Sequence, residues 1–191
     1  MATPSKNSDR RAERTRQMLH QAFLDVVREK GLTKASVQAI VDRANVSRGT
    51  FYAHYADKYA LIETIMRQGF HHSLSTLPTD KGLTRETLHL LIQTVLDYFK
   101  SVYQRHHRSR DIGPVIDKAI HDELSTLLLA WLKHSNPSQM SAEMIAQIIS
   151  WAIFGAALEW SREPNLMPAD QMADQIVGML MNGVMGLLPE T

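Results

Sequence analysis

Residues 36–58 read SVQAIVDRANVSRGTFYAHYADK and contain two short helix patterns with a tight turn between them. Apolar residues of the first pattern recur every three or four positions, which places them on one side of an α-helix; they are Val37, Ile40, Val41 and Ala44. Ser36 precedes this pattern, and a serine hydroxyl there can accept a hydrogen bond from a free amide of the first turn. The stretch therefore predicts a helix that begins after Ser36 and carries one apolar stripe.

The turn and the second pattern follow directly. Asn45 comes after the last apolar position, and asparagine tolerates the left-handed conformation that ends many helices. Ser47 can cap a second helix, which we expect to run to about Tyr55. Two helices joined by about three residues form a helix-turn-helix, whose second helix enters the major groove of DNA.

Residues 40–61 resemble the TetR family of bacterial one-component transcriptional regulators. The family pattern is Ile-Ala-x-x-Ala-Gly-Val-Ser-x-Gly-Thr-x-Tyr-x-His-Phe-x-x-Lys-x-x-Leu, and this sequence reads IVDRANVSRGTFYAHYADKYAL there. Three conservative departures occur: Val41 replaces Ala, Asn45 replaces Gly and Tyr55 replaces Phe. The resemblance implies an all-α fold, in which an N-terminal three-helix helix-turn-helix DNA-binding domain precedes a C-terminal helical bundle for ligand binding and dimerisation.

The composition is that of an ordinary globular protein without disulfides. The chain has 191 residues, of which 44% are hydrophobic, 21% are charged and none is cysteine. This length suits one domain or two small ones, and the lack of cysteine excludes disulfides and thiolate metal sites. There is no apolar run of about 18 residues and no hydrophobic signal segment, so we expect a cytoplasmic protein that does not cross a membrane.

Charge is unevenly distributed along the chain. Residues 1–60 hold 11 Lys and Arg against 6 Asp and Glu, a net charge of +5. The remainder holds 10 against 14, a net charge of −4. A basic segment beside an acidic one indicates contact with nucleic acid at the basic end. Without the motif, a few solvated arginines on a helix would be an equally good interpretation.

We predict three segments: a disordered N-terminal arm at 1–9, a DNA-binding domain at 10–57, and a ligand-binding and dimerisation domain at 58–191. Arg10 and Arg11 belong either to a flexible arm along DNA or to a solvated tail. Gly31 is expected to end the first helix in the left-handed conformation. The helical periodicity predicts longer helices over about 10–30, 58–74, 84–107, 113–134, 141–162 and 168–187.

The last two predicted helices, 141–162 and 168–187, carry apolar and small residues on more than one face. A helix that is apolar nearly all round must be buried on every side, and in a body this small that favours a partner chain. The resemblance also implies a homodimer, with a four-helix bundle across its axis and two recognition helices about one DNA turn apart on a palindromic operator. The alternative is a hydrophobic hairpin within one chain.

The second helix of the motif carries the candidate residues for reading DNA. Arg48 could pair with guanine or reach a phosphate. Gly49 would let the backbone approach the groove, and Thr50 could bond a phosphate or touch a thymine methyl. The resemblance implies phosphate or base contacts by Tyr52 and His54.

Four further residues are candidates for positioning the domain on double-stranded DNA. Ser36, Ser47 and Lys58 are expected to contact the backbone without reading sequence. Gln38 lies at the start of the supporting helix and could reach either a base or a phosphate. Two aromatic residues of the same stretch, Phe51 and Tyr55, fall on the inward face and are expected to pack in the core.

The resemblance places a ligand pocket inside the C-terminal bundle. Methionine and aromatic side chains favour apolar, adaptable contacts, so we predict a small hydrophobic effector and no cofactor. For every candidate lining residue, core packing is the alternative interpretation. The candidates are Met66, Phe70, Phe99, Tyr103, Leu128, Trp131, Trp151 and Phe154.

Nine histidines raise the question of a metal site. Neighbours such as His71 and His72, or His106 and His107, point about 100° apart on a helix and chelate poorly. We therefore predict surface histidines and no metal site, here and at His121. No nucleophile with a base, glycine-rich phosphate loop or carboxylate pair is evident, which argues against an enzyme.

The sequence thus predicts a dimeric repressor that a small ligand releases from its operator. Two alternatives stay open. One is a regulator of the same family that has no small-molecule inducer and responds to a protein partner. The other is a metal-responsive regulator that uses the histidines.

Overall fold

The computed structural model describes residues 6–78, 80–103, 113–133, 141–163 and 167–184. Its regular structure in these ranges is entirely helical, which confirms the predicted all-α class. The helices are α1 (Lys6–Lys30), α2 (Val37–Ala44), α3 (Arg48–Tyr52), α4 (Lys58–Leu74), α5 (Arg85–Tyr98), α6 (Gly113–Leu132), α7 (Ala142–Arg162) and α8 (Ala169–Val184).

The chain folds as two compact units, residues 1–65 and 66–191. The division falls inside α4, whose first residues belong to the first unit and whose remainder belongs to the second. The first unit contains α1, α2 and α3, with α1 packed against α2. Its fully buried side chains come from all of these helices and from the start of α4: Leu19, Phe23, Val26, Ile40, Val41, Phe51, Leu61 and Ile62.

Helix α1 begins at Lys6, four residues before its predicted start. Periodic burial begins only at Leu19, so apolar spacing could not reveal the polar turns that precede it. Side-chain contacts within the helix support those turns, such as the hydrogen bond from Arg16 to Glu13 at 2.6 Å. Arg10 and Arg11 are therefore helical and do not belong to a flexible arm.

Gly31 ends α1 with φ 80° and ψ 159°. Its amide donates to the Val27 carbonyl at 2.9 Å. The positive φ explains why glycine stands here, but the ψ value is far from that of the left-handed helix. The predicted left-handed end is therefore wrong in ψ, and the chain leaves in an extended direction toward the 3-10 turn Leu32–Lys34.

The second unit is built around α5. This helix packs against α7 and α8, and α6 packs against α7. Thr84 and Thr87 form a capping box at its start: the Thr84 hydroxyl accepts from the Thr87 amide at 3.1 Å, and the Thr87 hydroxyl accepts from the Thr84 amide at 2.8 Å. At its other end α5 passes into a π-helical turn, Phe99–Tyr103, where an α-helix was predicted to continue.

Aromatic contacts tie the second half of α4 to α5. The rings of Phe70 and Tyr98 meet edge to face with centroids 4.9 Å apart, and the Tyr98 hydroxyl lies 3.9 Å from the Met66 sulfur. Burial raises the pKa of Tyr98 to about 12. Trp131 of α6 is fully buried and donates from Nε1 to the Pro78 carbonyl at 3.1 Å, which fixes the loop after α4.

Helix α7 follows its predicted bounds, and the Ser141 hydroxyl accepts from the Met144 amide at 3.3 Å. Among the described helices, α7 is long and apolar enough, by length and composition alone, to cross a bilayer. Its residues Ile145, Ile149 and Ile153 are buried in the bundle. A core helix of a globular protein has the same composition, so the length of α7 does not indicate a membrane span.

Candidate nucleic-acid interface

The turn between α2 and α3 depends on three polar side chains. The Ser36 hydroxyl accepts from the Ala39 amide at 3.2 Å and starts α2. Asn45 ends that helix with φ 52° and ψ 47°, a left-handed conformation that asparagine tolerates better than most residues. Ser47 then starts α3 by accepting from the Thr50 amide at 3.0 Å. Both predicted caps and the left-handed turn are confirmed.

Burial of two aromatic residues fixes which side of α3 faces outward. Phe51 is fully buried and Tyr55 is 7% exposed, as predicted. The Phe51 ring meets Tyr52 edge to face at 5.5 Å and lies 5.8 Å from Tyr55. Tyr52 remains 54% exposed, on the same outer side as the exposed residues Arg48 and Gly49. The exposed side of α3 therefore combines a cation, a bare backbone and a phenol.

The hydroxyl groups at the start of α3 are already engaged with each other. Ser47 Oγ lies 2.9 Å from Thr50 Oγ1 while it also caps the Thr50 amide. Thr50 is half-buried, and Ser47 is exposed. One hydroxyl hydrogen of the pair stays available to an outside acceptor, since each hydroxyl has one hydrogen and the contact between them uses one of the two.

Gln38 and Lys58 flank α3 in the sequence and have local contacts of their own. Gln38 Nε2 donates to Asp42 Oδ1 at 2.7 Å, an arrangement that sequence reasoning did not anticipate. At the start of α4, the Asp57 carboxylate accepts from the Tyr59 and Ala60 amides, each at 2.8 Å. Because Asp57 occupies these two amides, the Lys58 ammonium is the group at this helix end suited to a phosphate.

Ion pairs neutralise several cations of the first unit but not the one on α3. Arg43 of α2 pairs with Glu29 of α1, and its hydrogen bond lowers the pKa of Glu29. Arg28 pairs with Asp25 at 3.3 Å. Arg48 has no side-chain partner in the part of the chain that the structure describes. An unpaired arginine on an exposed helix suits phosphate or guanine recognition.

Residues 21–65 match the family model for bacterial regulatory proteins of the tetR family. The chain is 28% identical over 184 residues to the uncharacterized HTH-type transcriptional regulator YxbF of Bacillus subtilis (strain 168). This match spans 92% of the chain and 47% of YxbF, so the chain spans about half the length of that relative. The HTH-type transcriptional repressor BepR of Brucella suis biovar 1 (strain 1330) is 26% identical over 170 residues, with 78% of this chain and 81% of BepR covered.

Residues 21–65 of the chain thus form a TetR-family helix-turn-helix domain. A TetR-family transcriptional regulator of Pectobacterium atrosepticum has the same fold, with a TM-score of 0.60 and 18% identity over 98% of this chain and 99% of that one. The family consists of DNA-binding transcriptional regulators and not of enzymes. The helix-turn-helix described above is therefore a DNA-binding element.

The predicted ligand-binding residues of the second unit differ in exposure. Six of them have side chains at most 8% exposed: Met66, Phe70, Phe99, Leu128, Trp131 and Phe154. Trp151 is instead 55% exposed on α7, and the side chain of Tyr103 lies outside the described residues. Two surface clefts, of about 380 and 310 Å³, are lined by other residues: Arg85, Glu86, His89, Leu90 and Val177, and Arg67, Gln68, His71, His72, Ser75 and Glu123.

Three histidines have polar partners in the described ranges. His71 Nδ1 lies 2.9 Å from Glu123 Oε2, and His89 Nε2 lies 3.2 Å from Asp174 Oδ1. The predicted surface position is wrong for His121, which is 6% exposed because it stacks on Trp151 at 4.0 Å between ring centres; its Nε2 lies 2.9 Å from Ser150 Oγ. Burial lowers the pKa of His121, opposed by Asp122. No group of three or more metal-ligating side chains occurs within the described ranges; His106 and His107 lie outside them.

Replacement of Gly49 by alanine separates folding from DNA binding. An added Cβ would meet only Ser47 Oγ, at an ordinary 3.6 Å. Alanine should therefore stabilise α3 by roughly 0.5–1 kcal/mol. If the α3 backbone enters the groove, the methyl group should weaken binding at least about tenfold, which corresponds to about 1.4 kcal/mol, because it would hold the backbone away from the bases. Thermal unfolding and titration of a duplex selected from random-sequence DNA measure the two effects.

Gly69→Ala is the matched control. Gly69 lies in α4, within the second unit, and an added Cβ there would meet the Tyr98 hydroxyl at 3.9 Å. This variant should keep full DNA affinity. If Gly49→Ala also kept full affinity, the close approach of α3 to DNA would be contradicted.

Proposed function

We propose that this TetR-family regulator is a cytoplasmic homodimeric repressor that binds a palindromic operator and leaves it when a small hydrophobic ligand binds. The orientation of α3 carries the DNA-binding part: Phe51 is fully buried, while Arg48 and Gly49 are exposed. The similarity to BepR, a transcriptional repressor, supports repression over activation. The dimer and the ligand are supported by separate features of the second unit.

Arg48 is proposed to read a base and not only to contact the backbone. It is the cation of α3, lies in its first turn and has no ion pair in the described part of the molecule. Residues in the first turns of a recognition helix are those that meet base edges. A guanidinium can donate two parallel hydrogen bonds to guanine O6 and N7, which a phosphate contact does not require.

Arg48→Ala should lower discrimination between bases at one operator position by about 1–3 kcal/mol. Binding to random duplex should fall much less. Titration of a set of single-base operator variants, with wild type and mutant in parallel, measures the difference. Arg28→Ala removes a cation that pairs with Asp25 and should leave base discrimination unchanged. If Arg48→Ala leaves every base preference intact, Arg48 does not read a base.

An exposed apolar stripe on α7 supports the homodimer. Met144, Ile148 and Trp151 follow one another at spacings of four and three residues and are each more than half exposed. The opposite side of α7 is buried in its own bundle. A contiguous apolar patch of this kind marks a contact surface. On α8, Met179 is 69% exposed, so both final helices present apolar side chains to solvent.

A second copy of the chain is the occupant that the proposed operator requires. A two-fold dimer buries the same surface from both chains, and two heads with matching orientation read the two halves of a palindrome. The sequence predicts a dimer contact through the same two helices, 141–162 and 168–187. A dimer contact at this stripe would explain why α7 carries apolar residues on the side that its own bundle leaves exposed.

Ile148→Glu should convert the dimer to a monomer, because a carboxylate at the centre of the stripe would be buried without a partner. Sedimentation velocity at micromolar concentration measures assembly, and circular dichroism checks that the helices remain. Operator affinity should fall with the dimer. Ala130→Glu puts the same charge on an exposed position of α6 and should stay dimeric. A dimeric Ile148→Glu protein would contradict the proposed interface.

The apolar interior of the second unit supports a hydrophobic effector. Phe70, Phe99 and Phe154 are buried, and the latter two rings meet at 5.5 Å. Met66 and Phe70 lie on α4, the helix that also supplies the first residues after the DNA-binding motif. A ligand that binds among these side chains could shift the position of α4. In the proposed dimer, this shift would change the distance between the two recognition helices. The ligand must bind more tightly to the form of the protein that does not bind DNA. A ligand with equal affinity for both forms would not shift the equilibrium between them.

A thermal-shift screen against hydrophobic compounds, polar metabolites and divalent metals distinguishes the three possible signals. A hydrophobic compound should raise the melting temperature and weaken operator binding. Stabilisation at a hundred times the Kd is about 2.7 kcal/mol. A response to a metal alone would favour the metal-responsive alternative. If no compound stabilises the protein, a protein partner becomes the better explanation.

A further inference from the structure

Residues 9–18 of α1 carry no buried side chain. From Asp9 to Met18, every side chain is exposed or half-buried, and burial starts only at Leu19. These residues are nevertheless helical. A helix that is polar all round normally serves a role outside the core of its own domain. The extension of α1 is therefore a candidate contact surface.

The charges of this extension are sorted by side. At 3.6 residues per turn, Arg10, Arg11 and Arg14 fall within an arc of about 100°. All three are exposed, and none has a side-chain partner within the described residues. The two acidic residues, Asp9 and Glu13, fall outside that arc. Glu13 is also occupied by Arg16, at 2.6 Å. We call the three unpaired residues the arginine face.

The arginine face lies to one side of the buried stripe of α1. At about 100° per residue, the buried residues Leu19, Ala22, Phe23 and Val26 are centred about 120° from the middle of this face, and Arg11 lies nearest to them. Because all three arginines are exposed, packing of α1 within its own unit does not use their charges. The partner that these side chains suit must be anionic, because three guanidinium groups stand together without a carboxylate.

The extension begins close to the segment that follows α3. The pKa of Tyr55 is raised chiefly by burial, and the charges of Arg16 and Glu13 also act on it. Tyr55 is three residues beyond the end of α3. Glu13 and Arg16 thus lie near the segment that follows the recognition helix, and the turns from Lys6 to Glu13 add about 10 Å of helix beyond this point.

We propose that the arginine face is a second DNA-contact surface, which binds backbone phosphates flanking the bases that α3 reads. This inference rests on the proposed operator binding. The arginine face, from Arg10 to Arg14, spans about 6 Å along the helix, which matches roughly two base pairs of duplex at about 3.4 Å each. Arginine suits this role because its planar guanidinium can donate two hydrogen bonds to one phosphate. The contact adds affinity and lengthens the protected DNA without reading sequence.

The test uses the full chain and an operator selected from random-sequence DNA, prepared with long flanks and trimmed to the palindrome. The variant R10A/R11A/R14A should bind the long duplex about tenfold more weakly at low salt. The slope of log affinity against log salt should fall by about 0.9 for each phosphate that the variant no longer binds. Wild type should prefer the long duplex, and the variant should bind both lengths equally. Exposed alanines favour helix, so folding should be unaffected.

Two further variants serve as controls, one for the position of the cations and one for their charge. R28A/K30A/K34A removes three exposed cations from the other end of α1 and the turn after it, and should retain the preference for long DNA. R10K/R11K/R14K keeps the charge and should restore most of the salt slope.

The outcomes also separate this inference from the proposed function. If R10A/R11A/R14A keeps the wild-type slope and flank preference while Arg48→Ala loses base discrimination, the arginine face does not bind DNA but operator binding stands. If wild type itself selects no palindrome, the proposed function fails. A loss of thermal stability in the DNA-free variant would place the face against protein and overturn the inference.

Discussion

Burial of Phe51 is the interaction on which the DNA-binding surface depends. Helix α3 has only five residues, too few to be stable alone, because the first turn costs more conformational entropy than its hydrogen bonds recover. Phe51 is fully buried and contacts the rings of Tyr52 and Tyr55. The ring at the centre of α3 thus holds a helix that its own backbone could not maintain, and so determines which residues face outward.

The polar residues of the turn complement this anchor. Ser36 and Ser47 satisfy amides at two helix starts, and Asn45 provides the left-handed residue between them. None of the three contributes much buried apolar area, yet together they set the angle at which Phe51 enters the core. Apolar packing supplies the stability of the unit, and the caps fix the orientation of α3. A DNA-binding domain needs both, because hydrogen bonds to bases tolerate little displacement of the recognition helix.

Features with a local chemical signature were predictable from the sequence, and features without one were not. The caps at Ser36 and Ser47 and the left-handed Asn45 follow from local chemistry, and the inward face of α3 follows from spacing. The start of α1 at Lys6 was missed because a solvated helix has no apolar period. The π-helical turn after Tyr98 was missed because an extra residue in a helical turn does not change the composition of the segment.

The ligand candidates show the same limit more clearly. Phe99 and Trp151 carry similar large side chains on periodic helices, but one is fully buried and the other is 55% exposed. Spacing can show that a helix has an apolar side, but not whether the protomer or another molecule covers it. On α7, one side is buried in its own bundle and the opposite side is exposed. An apolar helical pattern therefore predicts a ligand pocket and a dimer contact equally well, and the sequence alone does not distinguish them.

The solvent exposure of Trp151 gives the molecule an optical property. The chain has three tryptophans, of which Trp131 and Trp160 are 0% and 7% exposed. Their emission is insensitive to events at the surface, because little water reaches them. Trp151 is the one of the three that is open to solvent, on the apolar stripe of α7. Its fluorescence therefore reports, without any attached label, when this stripe is covered.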